Sequence, residues 1–497
     1  LKEDNIRLIF GLKVRHLRMD KNISLVDLSK ETGISVSYLN EIEKGKKYPK
    51  GDKIIDLAKT LGVSYDWLVS LQLNQSLAPL NDLIKSDFFT GLPFEIFGIE
   101  PADLLDIISH TPSKMSAFVS TLIEISRNYA ISVENFYFAV LRSYQEMHQN
   151  YFEDIENQAI KFCEENPNLQ FPDVSYAAMK LFLEEKYHYE IEEKSFSPYP
   201  ELKSLRSVLL PNKSNRLLIN QELSEAQKMF TLGREIAYQY LKLKERPYTS
   251  SWIKIDTFDQ LLNNFKASYF SGALLIPQKL LVADLQQFIQ KTTWDESAFL
   301  ELLQKYNVSP EMFVQRITNL MPRFFGLNQL FFLRFNHHKA DNEFELDKEL
   351  HLAGLYNPHG NMIRETYCRR WVSLNILKTM QQTENEQKPA GVICQIQRSQ
   401  YFDSGNEFLC ISLARSINPT PNTNTSVTIG FLMNNEFKKQ VKFWQDPQIP
   451  LRKVGVTCER CSAKDCAERD APATIYNHQV KTRKIQSSLE KLLANYK

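Results

Sequence analysis

Apolar and polar positions along this chain repeat with two different periods. Residues Ile6 to Met19 carry apolar side chains at helical spacing with basic residues between them, which predicts an amphipathic helix. Ser24 then caps a second helix that runs through Lys30. In the turn Glu31-Thr32-Gly33-Ile34-Ser35, Gly33 is free to take a positive φ and Ser35 can cap a third helix over Val36 to Lys44. A fourth helix is expected over Asp52 to Leu61, and a fifth begins at Asp66-Trp67-Leu68.

From Leu71 the pattern loosens, with Pro79, Pro93, Pro101 and Pro112 marking a linker that holds short helices at Ala102 to His110 and Ser113 to Asn128. Ser132 to Asn166 reads as one long helical run with Phe136, Val140, Tyr144, Met147, Tyr151 and Ile155 on one face. Such a helix packs into its own domain's core or against a second copy of itself, and the first is the preferred reading. Helices follow over Val174 to Tyr189, Leu281 to Lys291, Glu296 to Tyr306 and Pro310 to Leu320, the last opened by Ser309 and Pro310. Strand periodicity is expected at Arg216 to Ile219, Leu330 to Asn336, Gly391 to Gln397, Glu407 to Ala414 and Val427 to Met433, and a helix over Ala473 to Tyr496 closes the pattern. The fold expected is mainly α with smaller α+β parts: an N-terminal helical bundle, a helical middle domain, and a C-terminal small sheet plus helices.

Composition changes this picture little. At 497 residues the chain is long enough for about three domains with real cores. A net charge of +1 means that any nucleic-acid surface must be local. No apolar run is long enough to span a bilayer, and the charged start Leu1-Lys2-Glu3-Asp4 lacks an apolar leader, so no membrane contact and a cytoplasmic location are expected. The seven cysteines are odd in number and mostly single, which argues for reduced thiols. His337, His338, His351 and His359 are dispersed and are expected to be solvated.

Two short helices joined by a tight glycine turn form a helix-turn-helix, whose second helix enters the DNA major groove. The string from Gly33 to Gly45 (GISVSYLNEIEKG) is similar to the XRE, or lambda-repressor-type, family over residues 6–70. Ser35, Ser37, Tyr38 and Asn40 then lie where polar side chains reach base edges, and Lys44, Lys46 and Lys47 where cations meet phosphates. Modules of this kind bind paired half-sites, so a homodimer on a pseudo-palindromic double-stranded DNA operator is expected.

The stretch Leu223 to Gln239 resembles the metal-binding helix of ImmA/IrrE-type zinc peptidases, in which HExxH sets two histidines one turn apart beside a glutamate base. Here Arg234 and Tyr238 occupy the histidine positions, only Glu235 survives, and Asn264 stands where that family supplies its acidic ligand. An arginine cannot deprotonate to bind zinc, so catalysis is not expected and a ligand pocket is. Glu235 can simply pair with Arg234. A DNA-bound zinc peptidase is the alternative from the enzyme class.

The words Ser309-Pro310-Glu311-Met312-Phe313, Lys348-Glu349-Leu350-His351-Leu352, Asn357-Pro358-His359-Gly360-Asn361 and Tyr367-Cys368-Arg369-Arg370-Trp371 are similar to those of the bacterial short-chain fatty acyl-CoA-responsive regulators, which include regulators of propionate and glyoxylate pathways. That resemblance implies residues 71–130 as linker, 131–325 as a degenerate ImmA/IrrE-like domain and 326–497 as an acyl-CoA-sensing domain. It offers Lys266, Tyr269, Arg323, Arg369 and Arg370 as contacts for the acyl-CoA.

Cys458, Cys461 and Cys466 fall within nine residues, spaced CxxCx4C, which suits a soft metal or an iron–sulfur cluster. The resembled family carries such a cluster in some members, which implies 4Fe-4S here, with Arg460, Lys464 and Arg469 offsetting its charge. A closed site wants a fourth thiolate, from Cys368 first and then Cys410 or Cys394. Zinc with His478 as fourth ligand, a redox-sensing role for the thiols, and no metal at all remain open.

Overall fold

The structure, a computed structural model, describes residues 3–70, 133–210, 215–249, 255–352, 365–385, 391–416 and 420–494, less residues 195, 197, 203 and 421. The expected linker helices and the Asn357 to Asn361 word with His359 lie outside the described residues. The chain divides into two compact units, Leu1–Val140 and Leu141–Lys497.

In the first unit five helices follow the expected order: α1 (Glu3–Asp20), α2 (Leu25–Thr32), α3 (Val36–Glu43), α4 (Gly51–Leu61) and α5 (Tyr65–Val69). Local chemistry sets their starts, because the Ser24, Ser35 and Ser64 side chains accept from the backbone N–H groups of Asp27, Tyr38 and Trp67. Gly33 sits at φ 66° and lets the chain turn sharply from α2 toward α3. Phe10, Val14, Leu28, Leu39, Ile42, Leu57, Leu61 and Leu68 form the core.

The second unit pairs helices with two sheets. The expected long helix is two: α6 (Val133–Met147), which begins in the first unit, and α7 (Glu153–Glu165). The break comes at Gln149 and Asn150, which take φ of 50° and 55°. The Asn150 amide donates to Thr318 Oγ1 at 2.9 Å and its carbonyl accepts from Asn319 at 2.9 Å, so tertiary bonds fix the turn against the helical periodicity. Ile155 and Phe162 of α7 are buried in their own domain's core, as preferred.

After α8 (Tyr176–Tyr187), strands β1 (Tyr189–Lys194), β2 (Ser207–Leu209) and β3 (Asn215–Asn220) form a small sheet in the order β1-β3-β2. Five helices follow: α9 (Glu225–Tyr240), α10 (Phe258–Leu275), α11 (Gln278–Ile289), α12 (Glu296–Lys305) and α13 (Pro310–Phe325). Gly233 of α9 permits the close approach of α10, since a Cβ there would stand 2.3 Å from Ser271 Oγ.

The second sheet is larger than expected. Strands β4 (Leu330–His338), β5 (Glu343–His351), β6 (Ile393–Tyr401), β7 (Glu407–Ser416), β8 (Thr423–Leu432) and β9 (Leu451–Val454) lie in the order β5-β4-β8-β7-β6-β9. One face packs on α14 (Val372–Asn385) through Leu333, Phe335, Phe408, Cys410 and Ala414. Its other face, with Leu409, Ile411, Leu413, Val427, Ile429 and Phe431, joins the core of α11 and α13. Burial on both faces explains why β7 reads as a nearly unbroken apolar run from Phe408 to Ala414, whereas in β8 the buried Ser426 and Thr428 are satisfied by the Ser373 carbonyl and Ser412. The short α15 (Asn435–Gln440) precedes β9, and α16 (Thr474–Ala494) ends the described chain. His337 and His351 are buried on β4 and β5 rather than solvated; the His337 ring stacks on Phe344 at 4.5 Å and its Nε2 pairs with Asn342 at 2.9 Å. No described helix is long and apolar enough to cross a membrane.

Candidate functional site

Within the first unit, α3 is held from below. Arg18 of α1 donates through two nitrogens to Glu43 at 2.6 and 2.8 Å and through the third to the Ile23 carbonyl at 2.9 Å. This bidentate pair fixes the C-terminal end of α3 while Leu39 and Ile42 bury its inner face. Ser35, Ser37 and Asn40 are exposed on the opposite face, with Lys46 and Lys47 exposed just beyond. Lys44 is half-buried. So is Tyr38, whose ring lies 4.4 Å under the Lys53 ammonium, and Lys53 of α4 is a cation at this surface that the motif does not point to. Ser35 spends its hydroxyl on the cap of α3.

The middle of the second unit holds Arg234, Glu235, Tyr238 and Asn264, the positions compared above with HExxH and its acidic ligand. Arg234 on α9 donates to Asn264 Oδ1 on α10, so these two positions meet and close on each other. Tyr238 is buried and its ring carries the Arg246 guanidinium at 4.0 Å. Glu235 does pair, but with Arg246 rather than the adjacent Arg234: Arg246 donates to its two oxygens at 2.7 and 2.8 Å, and Tyr189 Oη adds a bond at 2.9 Å. Burial alone would raise the Glu235 carboxyl; the Arg246 guanidinium, helped by Arg234 and Tyr189, overrides it and holds the carboxyl below the usual range. Two guanidiniums against one carboxylate leave this spot electropositive, which disfavours a metal cation.

The residues offered above as acyl-CoA contacts sit in separate surroundings among the described residues. Tyr269 is buried and structural, donating to Glu156 at 2.8 Å and accepting from the Phe152 backbone at 3.2 Å. Lys266 is half-buried on α10, and Arg323 is exposed, 3.8 Å from Glu153. Arg369 is bound to Asp470 at 2.6 and 2.9 Å and lies over the Phe344 ring at 4.5 Å, while Arg370 reaches the Lys453 carbonyl at 3.3 Å. None of the five lines the small cleft beside Arg206 and Arg334 or the apolar cavity beside Leu409 and Ile429.

The cysteine loop is organised about Gly455. The Gly455 N–H donates to Cys368 Sγ at 3.4 Å, and a Cβ on Gly455 would stand 3.0 Å from Cys461 Sγ. Backbone bonds from Cys368 to Val456 (3.1 Å) and from Cys458 to Thr366 (2.8 Å) tie the segments carrying these thiols together. Cys368, Cys458 and Cys461 are buried and Cys466 is half-buried; burial pushes the Cys368 thiol up to about 11. In kind, these soft donors suit an iron–sulfur cluster. Among the described residues, however, no three His, Cys, Asp or Glu side chains are grouped closely enough to hold a metal ion. Arg460 and Arg469 are already engaged: Arg460 binds Glu365 at 2.6 to 3.0 Å, and Arg469 donates to the carbonyls of Cys458 (2.8 Å) and Cys461 (3.4 Å). His478, the alternative zinc ligand, is exposed on α16.

Comparison with known proteins agrees with this division. Residues 14–68 match the helix-turn-helix family, and fold and match together define a DNA-binding regulator of the helix-turn-helix class. Residues 185–318 match the IrrE N-terminal-like domain, a span that contains Arg234, Glu235, Tyr238 and Asn264. A solved structure described as a Mycobacterium tuberculosis transcriptional regulator is 15% identical, with a TM-score of 0.45, covering 68% of this chain and 93% of that one. No curated relative matches.

Proposed function

We propose that this chain acts as a homodimeric transcription factor, reading a pseudo-palindromic operator under the control of a short-chain acyl-CoA, and that it is not an enzyme. The observation that carries the reading is the contact of Arg234 with Asn264. The IrrE-like domain is matched, but the positions compared with its metal ligands are spent on each other, and binding is the use left to such a domain in a protein with a DNA-binding head. An effector that binds two dimer arrangements unequally shifts the spacing of the DNA-binding heads and so changes operator affinity. Titration with propionyl-CoA is expected to release heat and to change the affinity for DNA selected from a random pool; silence in both measurements overturns acyl-CoA control. Sedimentation is expected to give a dimer.

Cys458, Cys461, Cys466 and Cys368 are proposed to hold a 4Fe-4S cluster that supports this sensing region, zinc being the alternative. The reading is supported by the thiol chemistry and by the meeting of Cys368 and Cys461 at Gly455. Bound there, a cluster would supply a redox-sensitive crosslink between the segments around Cys368 and Cys458. Iron, sulfide and zinc analysis after anaerobic purification decides between the metals.

A further inference from the structure

The last helix, α16, runs for 21 residues and buries none of its side chains among the described residues. Its start is tied down: the Tyr476 N–H donates to the Glu459 carbonyl at 3.0 Å, and Ile475, Tyr476 and Val480 are half-buried. From Lys481 to Ala494 each residue is exposed, and among them Ile485, Leu489 and Leu492 are 60, 52 and 53% exposed. A lone helical stretch of this length is marginal in water, and its apolar side chains stabilise nothing until another surface covers them.

The spacing of those side chains says what kind of surface fits. His478, Thr482, Ile485, Leu489 and Leu492 follow one another at intervals of four, three, four and three residues, the heptad alternation of a seam between two helices. This stripe is narrow and begins with two polar members, unlike the broad apolar face of a helix that lies on a membrane. Arg483, Lys484, Glu490 and Lys491 take the outer positions of the heptad, away from the seam. Of the positions flanking it, Gln479, Gln486, Ser488 and Leu493 are uncharged and Lys481 alone carries a charge. Flanks of one strong sign would repel a like helix and select an opposite one; these do neither, so the seam is compatible with itself.

We propose that α16 pairs with α16 of a second copy of this chain, Ile485, Leu489 and Leu492 forming the apolar layers of a short two-stranded coiled coil. The same patch then serves both partners, as a twofold interface requires. From Ile485 to Leu492 the apolar part of the seam covers only about two helical turns, so the dimer it holds is one that dilution dissociates. The proposal rests on the homodimeric reading above and names the surface that makes that dimer.

Sedimentation velocity of the full chain over a dilution series is expected to give a dimer that dissociates at low concentration. Leu489→Glu keeps a good helix former but sets a charge in the seam, and it is expected to weaken the dimer by at least about tenfold. Ser487→Glu, the same charge on the outer face, and Leu489→Ile, which keeps the seam apolar, should stay within about twofold of wild type. The main melting transition should be alike in all four proteins, because these side chains are exposed. A wild type that is monomeric at every concentration, a Leu489→Glu dimer weakened by less than about tenfold, or equal weakening by Ser487→Glu overturns the proposal. Binding of a monomeric wild type to phosphatidylglycerol vesicles assigns the helix to a membrane surface and overturns it as well. Operator affinity is measured on the same variants. A wild-type dimer unmoved by Leu489→Glu sinks the seam and leaves the homodimer standing; a monomeric Leu489→Glu with wild-type operator affinity upholds the seam and sinks the reading of paired half-sites.

Discussion

Arg246 grips both oxygens of Glu235, at 2.7 and 2.8 Å, in the place where a zinc peptidase would keep its glutamate free to activate water. The pair is buried, with side chains 15% and 5% exposed. Glu235→Gln leaves a buried guanidinium uncompensated and is expected to destabilise the second unit by about 3–5 kcal/mol. In a double-mutant cycle with Arg246→Met, the double variant should lose clearly less than the sum of the single losses. The folded carboxyl is held below its usual range, so the pair's contribution is present above the unfolded value and fades as pH falls through the folded one. Urea midpoints of wild type and Glu235→Gln should therefore converge in acid; a constant gap would contradict the assignment.

The exposed face of α3 divides its work in a way that salt can read. Lys46 and Lys47 stand where phosphates would lie, and replacing either with alanine should lower affinity for all DNA sequences alike and flatten the salt slope by about one unit. Ser37→Ala and Asn40→Ala should keep the slope and relax the preference for one base pair, at about 1–3 kcal/mol. Fluorescence anisotropy on selected and scrambled duplexes over a salt series separates the two behaviours.

How far the sequence could be read depended on whether each feature is local. The helix-turn-helix was legible because Ser24, Ser35 and Ser64 cap within three residues and Gly33 takes its left-handed turn by itself. The helical spacing of Arg234, Glu235 and Tyr238 was legible as well, because one helix, α9, carries all three. The partner of Glu235 was not: Arg246 lies beyond the end of α9, and only the tertiary fold brings it back. The same holds for the break at Asn150, which is decided by Thr318 and Asn319 far along the chain. Strand β5 does alternate, with Phe344, Leu346 and Leu350, yet the charges between them hide it.

Lys13 is fully buried, and its ammonium donates to the Trp67 carbonyl at 2.7 Å, the Ser70 carbonyl at 2.6 Å and Ser70 Oγ at 2.9 Å, tying α1 to the end of α5. Lys13→Met strips these acceptors of their donor and should cost the N-terminal unit about 1–3 kcal/mol. Burial pushes this ammonium down to about 8, whereas an unfolded lysine keeps its proton to about 10.4. Between those values the unfolded state binds more protons, so stability should rise with pH across that window and be level below it. Urea midpoints of the N-terminal transition near pH 7 and at about pH 9.5 test this, and Lys13→Met should lose the rise.

Gly455 stands between two sulfurs, so the cysteine loop can be tested without touching its CxxC pair. Its N–H donates to Cys368 Sγ at 3.4 Å, and an added methyl would lie 3.0 Å from Cys461 Sγ, closer than side chains normally tolerate. Gly455→Ala should therefore displace Cys461 and lower the iron and sulfide retained after anaerobic purification. Cys368→Ser should lower them further, because it removes a thiol that the bridge between Tyr367 and Thr457 holds beside the loop. Cys410 belongs to β7, inside the packed sheet face under α14, and Cys410→Ser should leave the iron content unchanged. Equal iron in Cys368→Ser and wild type removes Cys368 from the ligand set, whereas a loss in Cys410→Ser alone makes that thiol the fourth ligand.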